Sequence, residues 1–359
     1  MTSPLSMLNV PSEPTAAEPG EEVRGLSQGR IVLKRFRGHT GAVVGICVFV
    51  VVLILAISAI GLGPLPGWWK YTYRQTPTLM NGGHPTLSLF PFHLGEHPFG
   101  QDRVGRDMFA MTLRGAQISM MIMATVGTIA ALVGVVIGAS AGFFRGKVEA
   151  VLMRFTDMII IIPPLIAAAV VGHTAGRFGG PVFLGLFLGL VSWTGMARLV
   201  RGDFLSLRER EFVDAARLAG ASNRRIIFKH ILPNAVGVIT VNSTLLMSSA
   251  ILTETALSYV GLGVQPPDVS LGSLISANQS AFSTRPWLFW WPGLFIVVIC
   301  LCVNFIGDGL RDAFDPRQKK IRLRGMSETV SLPGVAQAAM VPAPYPENEG
   351  HWVDHEGQP

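Results

Sequence analysis

Charged side chains fall in clusters along this chain, and between the clusters lie runs that contain none: Thr40–Trp69, Gly115–Phe144, Met158–Gly176, Phe178–Ala197, Ile231–Thr253 and Pro286–Gly307. Crossing the hydrocarbon of a bilayer takes about 20 apolar residues, and each run reaches or approaches that length. Backbone groups in hydrocarbon must satisfy one another, so the runs are predicted as helices. Two shorter runs, Thr255–Pro267 and Val269–Thr284, carry Gly, Pro, Ser, Asn and Gln. They read as an extracytoplasmic re-entrant or surface segment. The prediction is an all-α membrane protein with six transmembrane helices. Gly134-x-x-x-Gly138 in the second span predicts close helix packing. Pro163-Pro164 predicts a kink in the middle of the third.

Composition agrees: 49% of the residues are hydrophobic and 14% charged, against about 25% charged in a soluble domain. Six spans place both termini on one side, and the distribution of Lys and Arg selects the side. With the N-terminus in the cytoplasm, inside segments hold 22 of the 29 basic residues, eight of them across Arg198–Lys229. The net charge of +6 is then explained by the anionic surface of the inner leaflet, and no nucleic acid is needed. Residues 1–28 lack an apolar core and read as a disordered cytoplasmic N-terminus, with no signal peptide of the usual form. Residues 29–64 hold the first span, 65–114 an unusually long extracytoplasmic loop, and 317–359 a largely disordered cytoplasmic tail. Cys47, Cys300 and Cys302 all lie inside predicted spans, and the pair Cys300-x-Cys302 reads as two small buried hydrophobes.

The longest cytoplasmic connection is Arg198–His230, and the stretch that follows Glu211 reads as two short helices. The first, about Leu207–Ala219, stops at Gly220, a suitable left-handed position. Ser222 caps the second, which is expected to end before Pro233. Phe212, Ala215, Ala216 and Ala219 recur at helical spacing as an apolar stripe on a charged element. A helix too short for its own core needs a partner to cover such a stripe; the plainer reading is a solvated helix pair. At these residues the chain resembles the EAA loop of ABC-importer permeases, Glu-Ala-Ala-x₃-Gly-x₉-Ile-x-Leu-Pro. Asp214-Ala215-Ala216, Gly220, Leu232 and Pro233 match, with Asp in place of Glu and His230 at the Ile position. The resemblance implies that about 205–233, including Glu211, forms a coupling helix that docks on an ATP-binding subunit.

Three more segments narrow the resemblance to the C-type permeases of dipeptide and oligopeptide importers: His97–Asp107, Glu254–Gly263 and Gly307–Arg317. The stretch Pro64–Gly95 departs from that pattern as an apparent insertion. The resemblance implies a type I importer permease fold, with five helices of the transmembrane domain in 115–316. It implies a non-catalytic inner-membrane subunit that forms half of a peptide pathway. The other half would come from a second homologous permease, with two ATP-binding subunits carrying ATP and Mg and an extracytoplasmic binding protein delivering the ligand. Nickel chelates, glutathione or another small ligand fit the same architecture.

Several residues carry two readings. Asp102, Arg106 and Asp107 form a salt-bridged extracytoplasmic rim or a contact for the binding protein. Glu254, near the outer end of the fifth span, is a candidate gate or a hydrated helix end. Asp157 is expected to pair with Arg154, and Asp308, Arg311 and Asp312 to form an ion network at the inner face. His84, His93 and His97 share the long loop, but Pro91, Gly95 and Pro98 break it up, so no metal site is expected. No Gly-x₄-Gly-Lys-Ser/Thr occurs: Gly146-Lys147 is followed by Val. Energy must therefore come from another subunit, and no catalytic constellation or resident cofactor is expected. Asp214–Ile227 also has a helix–turn–helix look. A membrane-anchored DNA-binding protein, however, would need a third helix and a compact core.

Overall fold

A computed structural model describes residues 28–163, 165–168, 170 and 180–314. Among these, five helices are long and apolar enough to cross a membrane. A basic helix, α1 (Gln28–Arg37), precedes the first of them, α2 (Thr40–Ile60). Next come α3 (Met108–Phe144), α4 (Gly146–Ile160), α5 (Gly180–Arg208) and the short α6 (Glu211–Leu218). The long α7 (Asn223–Tyr259), a short α8 (Leu271–Asn278) and α9 (Trp287–Phe314) complete the order. Of the third expected span, Met158–Gly176, residues 158–163, 165–168 and 170 are described, and the rest lies outside the described residues. Helix α4 starts earlier than the charge pattern suggests and ends at Ile160, ahead of Pro163, and helix resumes at residues 165–168, so it is interrupted where the proline was expected to kink it.

Helices α3 and α5 form the most extensive pair, and small residues make their contact possible. A Cβ built on Gly138 would lie 2.4 Å from the Ala197 carbonyl oxygen, and one on Gly189 would lie 2.8 Å from Ile129 Cβ. Gly134 and Gly142, one turn to either side of Gly138, meet α5 equally closely. The expected small-residue packing is therefore present and runs one turn further. Ion pairs fasten α4 to α5: Arg201 Nε donates to Glu149 at 2.7 Å and Arg198 to Asp157 at 2.6 Å. Asp157 thus pairs across helices, not with Arg154 on its own helix. At the far end of α9, Asp312 pairs with His39, the residue that caps α2.

Between α2 and α3 the chain is short of regular structure but well tied down. Two small hairpins form, β1 (Gly61–Leu62) with β2 (Leu65–Pro66) and β3 (Ser88–Leu89) with β4 (Phe92–His93). Backbone bonds Gln101 N–H to Gly83 O and Thr86 N–H to His97 O join the apparent insertion to the segment that follows it. Gln117 of α3 donates to the carbonyls of Ala56 and Gly61, fixing the exit of α2. The expected second outer segment is partly helical: α7 continues to Tyr259, and α8 packs against α3, α7 and α9.

Candidate functional site

Helix α6 starts with Glu211 and Asp214 in its first turn, where carboxylates favour the positive helix end, and Asp214 pairs with Arg217 at 3.1 Å. It ends in a Schellman motif. Ala221 N–H bonds Ala216 O, Gly220 N–H bonds Arg217 O, and Gly220 has φ +75°. One face is anchored in the bundle: Val213 is fully buried and Ala216 nearly so, packed with Phe204, Val200 and Ile226. Arg208 donates to the Phe143 carbonyl and lies over the Phe143 ring, while Arg145 pairs with Glu209. The loop is held firmly against the ends of α3 and α5.

The opposite face is apolar and uncovered. Phe212, Ala215, Leu218 and Ala219 are exposed along α6, Leu218 at 91%, and Phe228 is exposed at 62% on the next helix. This redraws the stripe expected from spacing. Phe212, Ala215 and Ala219 lie on it, Ala216 turns into the bundle, and Leu218 joins it. Spacing alone could not say which apolar residues turn inward, because they cover every side of this short helix except the one held by Glu211, Asp214 and Arg217.

Pro233 also behaves differently from expectation. Ser222 accepts from Arg225 N–H as the cap of α7, but the helix does not end before the proline. Residues Ile226–Ile231 form a π turn, in which Leu232 N–H reaches back to Ile227 O. Proline offers no N–H and its ring crowds the carbonyl four residues back, and the wider turn accommodates both. Asn234 Nδ2 then satisfies the His230 carbonyl at 2.6 Å. Leu232 is half-buried and Pro233 exposed. Glu211 and Asp214 on α6, Gly220 in the turn and Pro233 on α7 are thus all exposed.

Two further sites lie toward the other end of α3. Glu254 is fully buried: its Oε1 accepts from Ser258 Oγ at 2.7 Å and from Ser270 Oγ at 2.5 Å. Ser270 caps α8, and Leu271 N–H bonds Ser119 Oγ of α3. The carboxyl therefore clasps α8 to α7 beside α3. In the loop before α3, Asp102 accepts from Val104 N–H and Arg106 N–H and pairs with Arg106 Nε at 2.7 Å. Asp107 is instead fully buried as the cap of α3. It accepts from Ala110 N–H at 2.9 Å and Trp69 Nε1 at 2.8 Å, and lies 2.8 Å from His97 Nδ1. His97 stacks on Tyr71, and His84 lies against Trp287. Among the described residues no three metal-ligating side chains converge.

Residues 134–320 match the family described as binding-protein-dependent transport system inner membrane component. Residues 27–83 match the N-terminal TM domain of oligopeptide transport permease C. The chain is 37% identical over 296 residues to the oligopeptide transport system permease protein OppC of Mycobacterium tuberculosis, covering 82% of this chain and 97% of that one. The proteins of that name from Bacillus subtilis and Escherichia coli K12 are 35% and 36% identical, over 88% and 83% of this chain and 100% and 94% of theirs. Among solved structures, an inward-facing form of the MetNI methionine ABC transporter aligns with a TM-score of 0.49 at 18% identity, over 58% of this chain and 98% of that one. Membership of the family implies an ATP-binding subunit, a substrate-binding protein and a second permease as partners. The chain belongs to the binding-protein-dependent transport system inner-membrane components, as a multi-pass, non-catalytic permease subunit of an ABC importer.

Proposed function

We propose that this permease imports short peptides and that residues 205–233 are its docking element for the ATP-binding subunit. The observation that carries the docking reading is the uncovered stripe of Phe212, Leu218 and Phe228 on a loop whose other face is buried. An apolar patch displayed on a rigid support suits a permanent partner. The roles of Glu211, Asp214 and Gly220 follow. The two carboxylates flank the stripe, and Gly220 sets the turn that presents it. Arg208 and Arg145 tie the loop to α3 and α5, so a push on the loop would move those helices as units.

The basic residues favour a cytoplasmic position for this loop and for both termini. ATP and Mg would be held by the partner subunits, and the pathway would be completed by the second permease, whether a different chain or a copy. Glu254 is read as a gate latch: releasing its bonds to Ser258 and Ser270 would free α8 from α7. Asp102 and Arg106 are read as a rim that stiffens the loop, and Asp107 as its anchor.

The peptide assignment draws on the OppC relatives. It is tested by the ATPase rate of the assembled complex with its binding protein, across peptides, nickel chelates and glutathione. Stimulation by peptides is expected; stimulation by another ligand and by no peptide would overturn the assignment.

A further inference from the structure

Helix α1 lies outside everything assigned so far. Its ten residues contain four basic side chains and no acidic one. Val32 and Phe36, four residues apart, turn toward α9 and pack with Leu310, Ala313 and Ile306, which fixes the orientation of the helix. Arg30, Lys34 and Arg37 follow at helical spacing on the opposite face, all exposed, and none forms an ion pair among the described residues. Ile31 and Leu33, 37% and 51% exposed, flank the packed face. Only Gly38 and His39 separate this helix from α2. Helix α2 is the most apolar of the candidate spans and the least covered by protein, with 17% of its apolar window buried. Exposed Val44 lies on its second turn. The start of α2 must therefore sit at a bilayer surface, and α1 must lie within two residues of it.

We propose that α1 is a binding surface for acidic phospholipid: Arg30, Lys34 and Arg37 hold the phosphate-bearing headgroups of the leaflet where α2 begins, with Leu33 or Ile31 dipping into the acyl boundary. A short amphipathic helix with basic residues on one face and large apolar residues beside them is suited to that interface. The packing of Phe36 on α9 links the bound lipid to the last span.

The full-length chain in detergent, titrated with phosphatidylglycerol or phosphatidylcholine and followed by native mass spectrometry, tests this. Wild type should retain phosphatidylglycerol with a preference of roughly tenfold, declining as salt rises. The variant Arg30→Gln, Lys34→Gln, Arg37→Gln leaves Val32 and Phe36 in place and should bind both lipids about equally. Lys147→Gln, at a basic site on α4, should keep the preference. The proposal is overturned if the triple variant keeps it, if wild type has none, or if Lys147→Gln abolishes it as fully. A loss of melting temperature in the triple variant would be separated by Phe36→Leu, which perturbs packing and should leave the lipid preference intact.

Discussion

Asp107 gathers the backbone of α3, the indole of Trp69 and the imidazole of His97 around one buried carboxyl. Replacement by Ala removes the cap and strands buried donors, so Asp107→Ala should destabilise the detergent-solubilised chain by roughly 2–4 kcal/mol. Asp107→Asn, which keeps an acceptor for the cap, should lose less; thermal unfolding of the two variants checks the order. Gly220 presents a different constraint. No atom lies within 4 Å of where its Cβ would be, but its φ of +75° is one that side chains resist. Gly220→Val should therefore strain the turn by about 1–2 kcal/mol, whereas Gly220→Asn should be milder, since Asn tolerates that conformation. If the turn presents the docking stripe, Val should depress uptake more than Asn while both insert normally. Equal uptake by the two would count against that role.

At the scale of elements, the contact of α3 with α5 is set by glycines that admit no side chain. Gly138→Leu would drive its side chain into the Ala197 backbone and should cost about 1–3 kcal/mol or more. Gly195, exposed on α5 with nothing near it, is a control: Gly195→Ala should be neutral or stabilising by about 0.5–1 kcal/mol. Melting temperatures of the two variants compare them directly. The Gly134–Gly138 spacing was readable from the chain because a four-residue repeat of small residues has one structural use in a helix. The face of α6 was legible only in part: Glu211, Asp214 and Arg217 mark one charged side, but the apolar remainder is too wide for spacing to say which of its residues turn inward. Pro233 misled for a related reason. Proline forbids a regular α-helical bond, but a π turn meets that constraint without ending the helix, and spacing does not reveal such a turn. Asp157 was assigned to the nearer arginine in sequence, while packing of α4 on α5 brings Arg198 closer.

On the scale of the whole molecule, charge-free runs were enough to place the five spans among the described residues, because the cost of burying charge in hydrocarbon is a global constraint that local detail does not relax. The loop between α2 and α3 was opaque by the same logic: its order comes from dispersed bonds such as Gln117 to Ala56 and Gly61 and the stack of Phe99 on Trp291. What results has two distinct ends. One carries α1, α6 and the π turn; the other carries the hairpins, with Phe90 95% exposed, and the Glu254 clasp. The account requires the ATP-binding subunit to meet the first end only. A photoactivatable phenylalanine analogue at position 218 or at position 90, in the complex assembled with its ATP-binding subunit, measures this in one experiment. Illumination should join position 218 to the ATP-binding subunit and leave position 90 unlinked to it. An adduct from position 90, or none from position 218 in an intact complex, would contradict the docking role of this loop.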